Sequence, residues 1–391
     1  MPRSLPESTD VLVVGAGPVG LTLATALARR GVDAVLVDRA AEGANTSRAA
    51  VVHARTMEVL RGIDVTGKLI DRGVTVPRIT IRERDHELLS VRFDELPTDY
   101  PFVLLVPQNI TEEVLLAQLR ASGGDVLRPY ELDRLTQERD GVTAHLATGE
   151  RIRARYAVGA DGMHSVVREQ TGIAFGGDTY AQSFVLADMH LDWSERDDEV
   201  KLFFSAGGVT VLAPLPGGRH RIVATVDEAP ERPGLDFVQD LMRTRGPKAH
   251  PATVKEIAWS SRFRVHHRLA EHYRDGRMFL AGDAAHVHSP AGGQGMNTGV
   301  QDAANLAGKL AAVLADGAPD SVLDAYETER RPVAEEVVAF THRMTRMATV
   351  SSGPLRGLRN TALRALDFVP AVHRTLAMSL SELATEQHSG S

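Results

Sequence analysis

The sequence predicts an α/β fold, α+β overall, in which a mostly antiparallel sheet interrupts a domain built on parallel strands. The first observation is VLVVGAGPVGLTLATALARRG followed by AVLVD, which is typical of a buried strand, a glycine turn, a helix and a second parallel strand. The second is the run from about 175 to 265, where alternating apolar and polar residues are separated by turn residues. The third is the return to a buried strand at 278–283, MFLAGD, with helical patterns as far as about residue 347.

These patterns divide the chain into two interleaved domains and a tail. The first domain is Rossmann-like and discontinuous, the second is β-rich and inserted into it, and the tail has a weaker helical pattern. The predicted ranges are 1–75, 100–175 and 266–347 for the first domain, 76–99 and 176–265 for the second, and 348–391 for the tail. Within the first domain, VLLVPQ at 103–108 predicts a strand that leads into a helix at 110–122.

The composition excludes several classes of protein. The chain has 391 residues, a formal net charge of −7 and 43% apolar residues, which gives no reason to expect nucleic acid or an anionic membrane as a partner. It has no cysteine, which removes disulfides, thiolate nucleophiles and thiolate metal ligands together. MPRSLPESTD has no apolar core of signal-peptide type, and no stretch approaches the roughly 20 apolar residues of a membrane span. We therefore expect a cytoplasmic protein with no membrane and no nucleic acid as partner.

The glycine turn GAGPVG at 15–20 is the first candidate site. It follows a strand and opens a helix inside a βαβ unit, where glycines let the backbone approach a pyrophosphate at the helix N-terminus. Asp38 ends the second strand about 20 residues further on, where a carboxylate can accept hydrogen bonds from a ribose diol. These features together predict dinucleotide binding, and the acid favours FAD or NAD over the phosphorylated ribose of NADP.

Two later stretches also stand at strand ends. Asp161-Gly162 in YAVGADGMHSVVR, taken alone, reads as the end of a strand before a capped helix. Asp283 stands at the carboxyl end of MFLAGD, the usual place for ligand contacts in open α/β sheets. The glycine-rich loop at 292–295 then leads into a helix, so its amides can point at an anionic or electron-rich atom.

The pair His286 and His288 raises the alternative of a metal site. The two side chains lie two positions apart, but a closed site needs further nitrogen, oxygen or sulfur ligands of suitable spacing, and none follows nearby. We therefore interpret them as packed or hydrogen-bonded loop histidines and expect no metal.

The three motifs, in this order, resemble those of the group A flavoprotein monooxygenases, the aromatic hydroxylases of para-hydroxybenzoate hydroxylase type. GAGPVG resembles the ADP-binding fingerprint, VGADGMHSVVR the DG motif, and MFLAGDAAHVHSPAGGQGMNTGVQDAANLAGKL the GD motif of that family. The resemblance covers about 1–345. SRAAVVHARTMEVL and HRLAEHYRDGRMFLAGDAAH are similar to segments of the phenol and aromatic-polyketide hydroxylases within the family.

The resemblance implies a cofactor-binding role for residues in every part of the first domain. Asp38 is implied to bind the adenosine ribose, Arg48 to lie near the pyrophosphate and flavin, and Gln108 and Asp283 to contact the ribityl chain. Arg48 and Gln108 keep the alternative of surface or capping groups, and Asp161 is implied to help bind FAD or to steer NADPH. The full set implied to bind cofactor is Gly15, Gly17, Pro18, Val19, Gly20, Asp38, Arg39, Arg48, Gln108, Asp161, Asp283, Pro290, Gly293, Gly295, Met296 and Asn297.

The activity implied by the resemblance is that of an FAD-dependent monooxygenase. NADPH or NADH acts as a transient co-substrate, and O2 then forms a flavin C4a-hydroperoxide that hydroxylates an aromatic or polyketide-type substrate, as in antibiotic biosynthesis. The partners are a small aromatic molecule and O2, with a monomer or homodimer expected. Baeyer–Villiger oxidation, epoxidation, oxidative inactivation of an antibiotic and a non-oxygenating dehydrogenase remain as alternatives.

Two departures from the family pattern concern the tail and the substrate pocket. The phenol and polyketide hydroxylases usually continue into a thioredoxin-like domain, whereas the expectation here is a helical tail alone. No position identifies a catalytic base, so the catalytic residues are unknown. The pocket is expected to be lined from 180–225 and 259–264, with these candidates: His190, Phe203, Phe204, Arg219, His220 and Arg221.

Overall fold

The computed structural model describes residues 5–43, 49–195, 197–350 and 352–384, with the side chains of residues 180 and 181 left out. The strands, in chain order, are β1 (Ser8–Val14), β2 (Ala34–Val37), β3 (Val51–Val52), β4 (Val74–Val76), β5 (Arg78–Glu83), β6 (His86–Arg92), β7 (Val103–Leu105), β8 (Val126–Leu127), β9 (Leu132–Gln137), β10 (Val142–Leu146), β11 (Arg151–Gly159), β12 (Phe175–Asp192), β13 (Glu199–Ser205), β14 (Gly208–Leu215), β15 (Arg219–Val226), β16 (Thr253–Ala270), β17 (Arg274–Asp275), β18 (Met278–Leu280) and β19 (His286–Val287).

The helices follow the same chain order. They are α1 (Pro18–Ala28), α2 (Ala54–Arg61), α3 (Thr66–Ile70), α4 (Gln108–Ala121), α5 (Val166–Thr171), α6 (Leu235–Arg245), α7 (Gly295–Leu314), α8 (Asp324–Ala348), α9 (Gly353–Leu366) and α10 (Pro370–Leu380). Two short 3₁₀ turns lie at Gly282–Ala284 and Asp320–Leu323.

The first sheet has the strand order β17-β18-β11-β1-β2-β8, with β10 and β9 added in antiparallel pairing beside β11. β1 pairs in parallel with β11 on one side and with β2 on the other, which places the glycine turn after β1 next to the end of β11. The apolar run of β1 is buried because helices cover both faces of a parallel sheet. The parallel, helix-covered half of the predicted fold class is therefore confirmed.

The second sheet is mostly antiparallel and has the order β19-β16-β12-β15-β14-β13-β5-β6. β12 and β16 are 18 residues each and pair along most of their length, while β5 joins the sheet by parallel pairing with β13. The pairing thus brings the early segment 78–92 beside the later β-rich region. This sheet begins at Phe175 in β12 and continues to Ala270 in β16, so it extends slightly beyond the predicted range 176–265. The predicted domain boundaries themselves stay a prediction.

A small third sheet, in the order β3-β7-β4, connects the two larger ones. β7 confirms the strand predicted from VLLVPQ, but α4 begins at Gln108, two residues before the predicted start at 110. Pro107 stands at the N-cap of α4, where its missing N–H costs no helical hydrogen bond, so the helix starts directly after it.

Two helix contacts position the motifs. α1 packs against α7, and the contact is so close that a Cβ atom on either Gly282 or Gly299 would lie 2.7 Å from Val19 Cγ2. This approach holds the glycine turn beside the GD stretch. The tail forms α9 and α10, which pack with the end of α8 against the apolar face of β6 and its neighbours. Within the ranges described, no helix has the length and apolar character that crossing a membrane requires.

Candidate active site

One cavity of about 1010 Å³ contains most of the residues that the sequence analysis selected. Its nucleotide half is walled by the glycine turn, the ends of β2 and β11, and the loop that precedes α7; its apolar half is walled by the second sheet and α8–α10. The selected residues that line the cavity are Gly15, Gly17, Pro18, Val19, Asp38, Arg39, Gln108, Asp161, Asp283, Pro290, Gly293, Gly295 and Met296. Gly20 and Asn297 lie behind the wall, and Arg48 lies outside the described residues.

The three glycines of the turn have different tasks. Gly15 adopts φ +100°, and a Cβ atom there would lie 2.4 Å from the carbonyl oxygen of Ala160. A Cβ atom on Gly20 would lie 1.9 Å from the carbonyl oxygen of Gly15. Both positions therefore need glycine for backbone packing, whereas a Cβ atom on Gly17 would meet nothing within 4 Å and would project into the cavity. Gly17 is thus the position where the missing side chain leaves room for a ligand.

Asp38 is held at the cavity wall by backbone donors. Its Oδ2 accepts a hydrogen bond of 2.7 Å from the amide of Ala16, and its Oδ1 accepts one of 2.7 Å from the amide of Ala40. Arg128 adds an ion pair at 3.3 Å. The carboxylate therefore joins the glycine turn to the end of β2 in a fixed orientation, with lone pairs left over for a ligand hydroxyl.

Asp161 and Gln108 also line the cavity. Asp161 Oδ2 accepts a 2.7 Å hydrogen bond from the amide of Val166 at the start of α5, and burial raises the pKa of this carboxyl. Gln108 begins α4 and accepts a hydrogen bond of 3.2 Å from the amide of Ala49 while donating to Glu112. Each side chain forms a hydrogen bond within the protein and also lines the cavity. A structural role, such as capping a helix, is therefore compatible with binding a ligand.

The glycine loop before α7 is held by two side chains that we call the loop clamp: His53, which follows β3, and Asn297, in the first turn of α7. His53 Nε2–H donates to the carbonyl of Gly292 at 2.7 Å, while the His53 amide donates to Asn297 Oδ1 at 2.9 Å. Asn297 Nδ2 in turn donates to the carbonyls of Val51 and Gly293. Burial lowers the pKa of His53 to about 4, so its ring is neutral at pH 7 and the bond to Gly292 fixes the proton on Nε2.

The first turn of α7 faces the cavity. α7 is 20 residues long and begins at Gly295, and no side chain caps its first amides. Gly295 and Met296 line the cavity, so the positive end of a long helix is directed at whatever occupies it. This arrangement favours a ligand with a negatively charged atom, on a ring or on a phosphate, close to the first amides of α7.

The two histidines of the GD stretch belong to a buried network. His286 Nε2 lies 2.6 Å from Asp302 Oδ2, and Arg330 Nε donates to Asp302 Oδ1 at 2.7 Å. Burial opposes ionisation of Asp302, but Arg330 and His286 keep its pKa below the ordinary value. Burial, together with the neighbouring His286, lowers the pKa of His288 to about 4, and the two imidazole rings stack at 6.3 Å.

Metal binding finds no support in this geometry. His286 Nε2 is engaged by Asp302, and Asp302 is also paired with Arg330. Among the residues that the structure describes, no group of three or more histidine, aspartate or glutamate side chains could hold a metal ion.

The apolar half is lined mainly by aliphatic and aromatic side chains. The stacked pair Phe184 and Phe263, with ring centroids 5.8 Å apart, lies on its wall. Two of the six pocket candidates, Phe204 and Arg221, also line it. Arg221 is buried and forms two hydrogen bonds with Asp188, so its charge is compensated.

The other four candidates lie elsewhere. Phe203 points to the opposite face of the sheet and packs in a separate core, as strand alternation dictates. His220 is bound to Asp197 at 2.7 Å. His190 and Arg219 pair with each other across β12 and β15 and do not line the cavity.

The sequence analysis missed a large part of the apolar wall. Side chains from β5 and β6 contribute, and so do helices of the tail that showed only a weak pattern. The missed residues include Ile79, Ile81, Leu89, Val91, Met344, Leu363, Val372, Leu376 and Leu380. The strand residues alternate along β5 and β6, and this alternation is the signal that would have found them.

The fold and the cavity define an α/β protein with a dinucleotide site that opens into an apolar chamber. The fit rests on three observations: the space beside Gly17, the backbone-anchored Asp38, and the uncapped start of α7. The FAD binding domain family matches residues 8–341, and the chain belongs to this family. The resemblance to FAD-dependent aromatic hydroxylases is thereby confirmed.

Named relatives and solved structures agree with this assignment. The chain is 40% identical over 356 residues to the 6-methylpretetramide 4-monooxygenase of Streptomyces rimosus, a match that covers 88% of this chain and 63% of that protein. It is 38% identical over 357 residues to the rifampicin monooxygenase of Streptomyces venezuelae, covering 88% and 73% respectively. The structure of p-nitrophenol 4-monooxygenase from Pseudomonas putida DLL-E4 superposes with a TM-score of 0.86 at 27% identity, covering 97% of this chain and 99% of that one. The chain thus spans less than two thirds of the length of the first of these curated relatives, 63%, and 73% of the length of the second.

Proposed function

We propose that the protein is a monooxygenase that uses FAD, NAD(P)H and O2 to hydroxylate a small aromatic or polyketide-type substrate. The observation that carries the proposal is the continuity of one cavity from the dinucleotide turn at Gly17 to the apolar wall around Phe184 and Phe263. A protein that only stored FAD would not need a second chamber of this size beyond the cofactor site. The names of the relatives, which act on phenols and polyketides, support the same reading.

We assign the cofactor to the nucleotide half. Asp38 would accept hydrogen bonds from the adenosine ribose, Gly17 would face the pyrophosphate, and Asp283 would meet the ribityl hydroxyls. When bound, FAD would supply the redox chemistry that links NAD(P)H oxidation to transfer of one oxygen atom from O2, the other atom leaving as water.

The first contribution of the protein's own residues is the stabilisation of negative charge. The amides of Gly295 and Met296 lie at the positive end of α7 and would stabilise negative charge on a bound flavin. The loop clamp keeps those amides in place, because His53 and Asn297 bind the carbonyls of Gly292 and Gly293. The geometry is set before any ligand arrives, so no reorganisation is needed during the reaction.

The second contribution is the exclusion of water. The apolar half offers aliphatic and aromatic surface, and its buried cation Arg221 is already paired with Asp188. An uncharged aromatic ring is therefore the substrate that the aliphatic and aromatic part of this wall favours.

The third contribution is a cationic approach for NAD(P)H. Arg264, His164 and His266 line the cavity beside Asp161, and they lie close enough for their charges to interact. Burial and the nearby Arg268, His164 and Arg264 lower the pKa of His266. The lowered pKa leaves His266 uncharged at neutral pH, so the positive charge here comes from Arg264. That charge suits the phosphates of a transient nicotinamide cofactor, which needs no second glycine turn.

The test is oxygen incorporation. The purified protein should be yellow, should oxidise NADPH or NADH faster when phenols or polyketide aromatics are added, and should transfer one 18O atom from 18O2 to the product. A product that has lost two hydrogens without gaining oxygen would contradict the proposal and favour a dehydrogenase. Insertion of oxygen next to a carbonyl would instead identify Baeyer–Villiger chemistry.

The role of Asp283 has its own test. Asp283→Ala should weaken FAD binding by about tenfold, because a carboxylate hydrogen bond to a ligand hydroxyl is worth roughly 1.5 kcal/mol. Fluorescence titration of the apoprotein with FAD measures this. Asp275→Ala, an exposed acid on the neighbouring β17, is the matched control and should bind FAD normally. Equal affinity in both variants would remove Asp283 from the site.

We further propose the cytoplasm as the compartment, since it supplies NAD(P)H, and a monomer or homodimer as the assembly.

A further inference from the structure

Exposed apolar side chains are concentrated in one part of this chain. Seven large apolar side chains are exposed among the described residues, and six of them lie in the span from Met347 to Val369. Phe368 is 85% exposed, Leu358 68% and Leu355 58%, values far above those elsewhere on the surface. We call this set the apolar ridge: Met347, Leu355, Leu358, Leu366, Phe368 and Val369.

The helical geometry makes the ridge continuous. Leu355, Leu358 and Leu366 recur at three- and four-residue spacings with Ala362 between them, so they share one side of α9. An adjacent side of α9 is buried through Arg359, Asn360 and Leu363. Arg359 also donates to the carbonyl of Met347, which places the end of α8 beside α9. A helix that buries one apolar side and exposes another has an unpartnered face.

The charge of this region is opposite to that of the whole chain. The protein has a formal charge of −7, yet residues 337–381 contain six arginines and a single acidic residue, Asp367. Asp367 accepts a hydrogen bond of 2.9 Å from the amide of Ser90 and lies 3.7 Å from His373, so its charge is used internally.

Four of these arginines are exposed and carry no ion pair to any described residue: Arg343, Arg346, Arg364 and Arg374. Arg343 and Arg346 share one side of α8 with Met347, at the edge of the ridge. The surface therefore combines projecting apolar side chains with uncompensated positive charge.

We propose that the apolar ridge docks on an anionic lipid surface. Arginines around exposed aliphatic and aromatic side chains are the combination that binds a helix in the plane of a bilayer interface. A second copy of the chain is a poorer occupant, because a two-fold contact would bring the same arginines together. A side chain that is 85% exposed projects from the surface, which suits insertion between lipids better than recognition by a preformed groove.

The docking surface shares side chains with the cavity. Met347 and Leu366 belong to the ridge and also line the apolar half. A lipid-bound orientation would therefore hold the apolar half against the bilayer, where apolar aromatic molecules accumulate. The proposal extends beyond the monooxygenase activity and is independent of it, since the ridge would bind lipid whatever reaction the cavity supports.

The experiment is co-sedimentation of the FAD-loaded protein with vesicles of phosphatidylcholine alone and of phosphatidylcholine mixed with phosphatidylglycerol. We expect binding to the mixed vesicles, little binding to phosphatidylcholine alone, and loss of binding as NaCl is raised. Leu358→Ser with Phe368→Ser should lower binding by about tenfold or more. Arg346→Gln should lower it about fivefold.

Controls separate docking from misfolding. Among the residues that the structure describes, Leu235 is the one exposed large apolar residue outside the ridge, 40% exposed at the start of α6, and Leu235→Ser should bind vesicles like the parent. The ridge variants should retain FAD and their thermal unfolding temperature, because the substituted side chains are largely in solvent.

Four results would overturn the proposal. One is equal sedimentation with both vesicle types, and another is unchanged binding by the Leu358/Phe368 variant. The third is a dimer in light scattering that this variant dissociates, which would assign the ridge to a second copy. Tight binding to soluble polyglutamate that survives loss of the apolar side chains would likewise replace lipid with an acidic protein partner.

Discussion

The two halves of the cavity are built on different principles. In the nucleotide half, backbone atoms set the shape, and residues such as Gly15 and Asp38 are required by close approach or by hydrogen bonds to amides. In the apolar half, side chains from the second sheet and α8–α10 set the shape, and no single residue type is demanded. A backbone-shaped site therefore leaves a motif in the sequence, whereas a side-chain-shaped site leaves only hydrophobicity.

The largest expected effect is a loss of stability caused by a substitution at Gly15 in the nucleotide half. Gly15→Ala places a Cβ atom 2.4 Å from the Ala160 carbonyl at φ +100°, which should cost about 4 kcal/mol of unfolding free energy. Urea unfolding measures the loss, and FAD retention should fall with it. Gly17→Ala is the matched control, since its Cβ meets no protein atom within 4 Å. That variant should fold normally and bind FAD more weakly; a stable Gly15→Ala would contradict the packing role.

A second prediction concerns Glu382, which attaches the tail to the nucleotide half. Gln301 and Thr298 on α7 donate hydrogen bonds to it, and Arg330 and Asp302 lie nearby. Burial raises the pKa of Glu382 to about 8, although Gln301 and Arg330 oppose the shift. Between the ordinary value of 4.5 and about 8, the folded protein binds a proton that the unfolded chain has released.

The stability should therefore decline as pH rises through that interval. Glu382→Gln should remove this slope, making the variant more stable than the parent by up to about 3 kcal/mol near pH 9 and similar to it near pH 4. Denaturant unfolding at several pH values is the measurement. Glu336→Gln, an exposed acid on α8, should leave the slope unchanged. If the unfolding free energies of Glu382→Gln and of the parent changed with pH in parallel, the Glu382 carboxyl would not be the source of the pH dependence.

Breaking the loop clamp is expected to destabilise the nucleotide half by a smaller amount. Asn297→Ala removes the hydrogen bonds to Val51, Gly293 and His53, and should cost about 2 kcal/mol while raising the dissociation constant for FAD. Asn305→Ala, a more exposed asparagine on the same helix, should cost less than about 0.5 kcal/mol. An Asn297 variant with the parent's FAD affinity would show that the loop keeps its shape without the clamp.

The smallest effect concerns the apolar half. Val211→Phe on β14 adds a ring to the cavity wall and should raise KM for an aromatic substrate by about tenfold while FAD content stays constant. Val211→Ile adds one methylene and should change KM less. Steady-state kinetics with a fixed NADPH concentration makes the comparison. Loss of FAD in Val211→Phe would mean that the two halves are not separable.

The two halves of the cavity also differ in how far their residues can be predicted from the sequence. The glycine turn, Asp38, Asp161 and the loop before α7, which glycine spacing and strand ends single out as local signals in the sequence, all line one cavity. Their roles toward FAD stay predictions. The apolar wall was largely missed, since Leu376 in the tail and Ile81 on β5 meet only through long-range pairing. Phe203 and Phe204 show the limit clearly: adjacent in sequence, they face opposite sides of the sheet, and alternation alone does not say which side is the cavity.

The way the first sheet is threaded has a consequence for biosynthesis. β1 is made first, but its sheet is completed only by β18, and the cavity wall is closed by residues near Leu380. Nearly the whole chain must therefore leave the ribosome before the nucleotide half exists, and contacts of such sequence separation form slowly. Until then, the apolar strands of β1 and β2 depend on transient burial or on chaperones. Because FAD would bind the completed nucleotide half and not the unfolded chain, its binding would add to the stability of the folded state only after nearly all of the chain has been made.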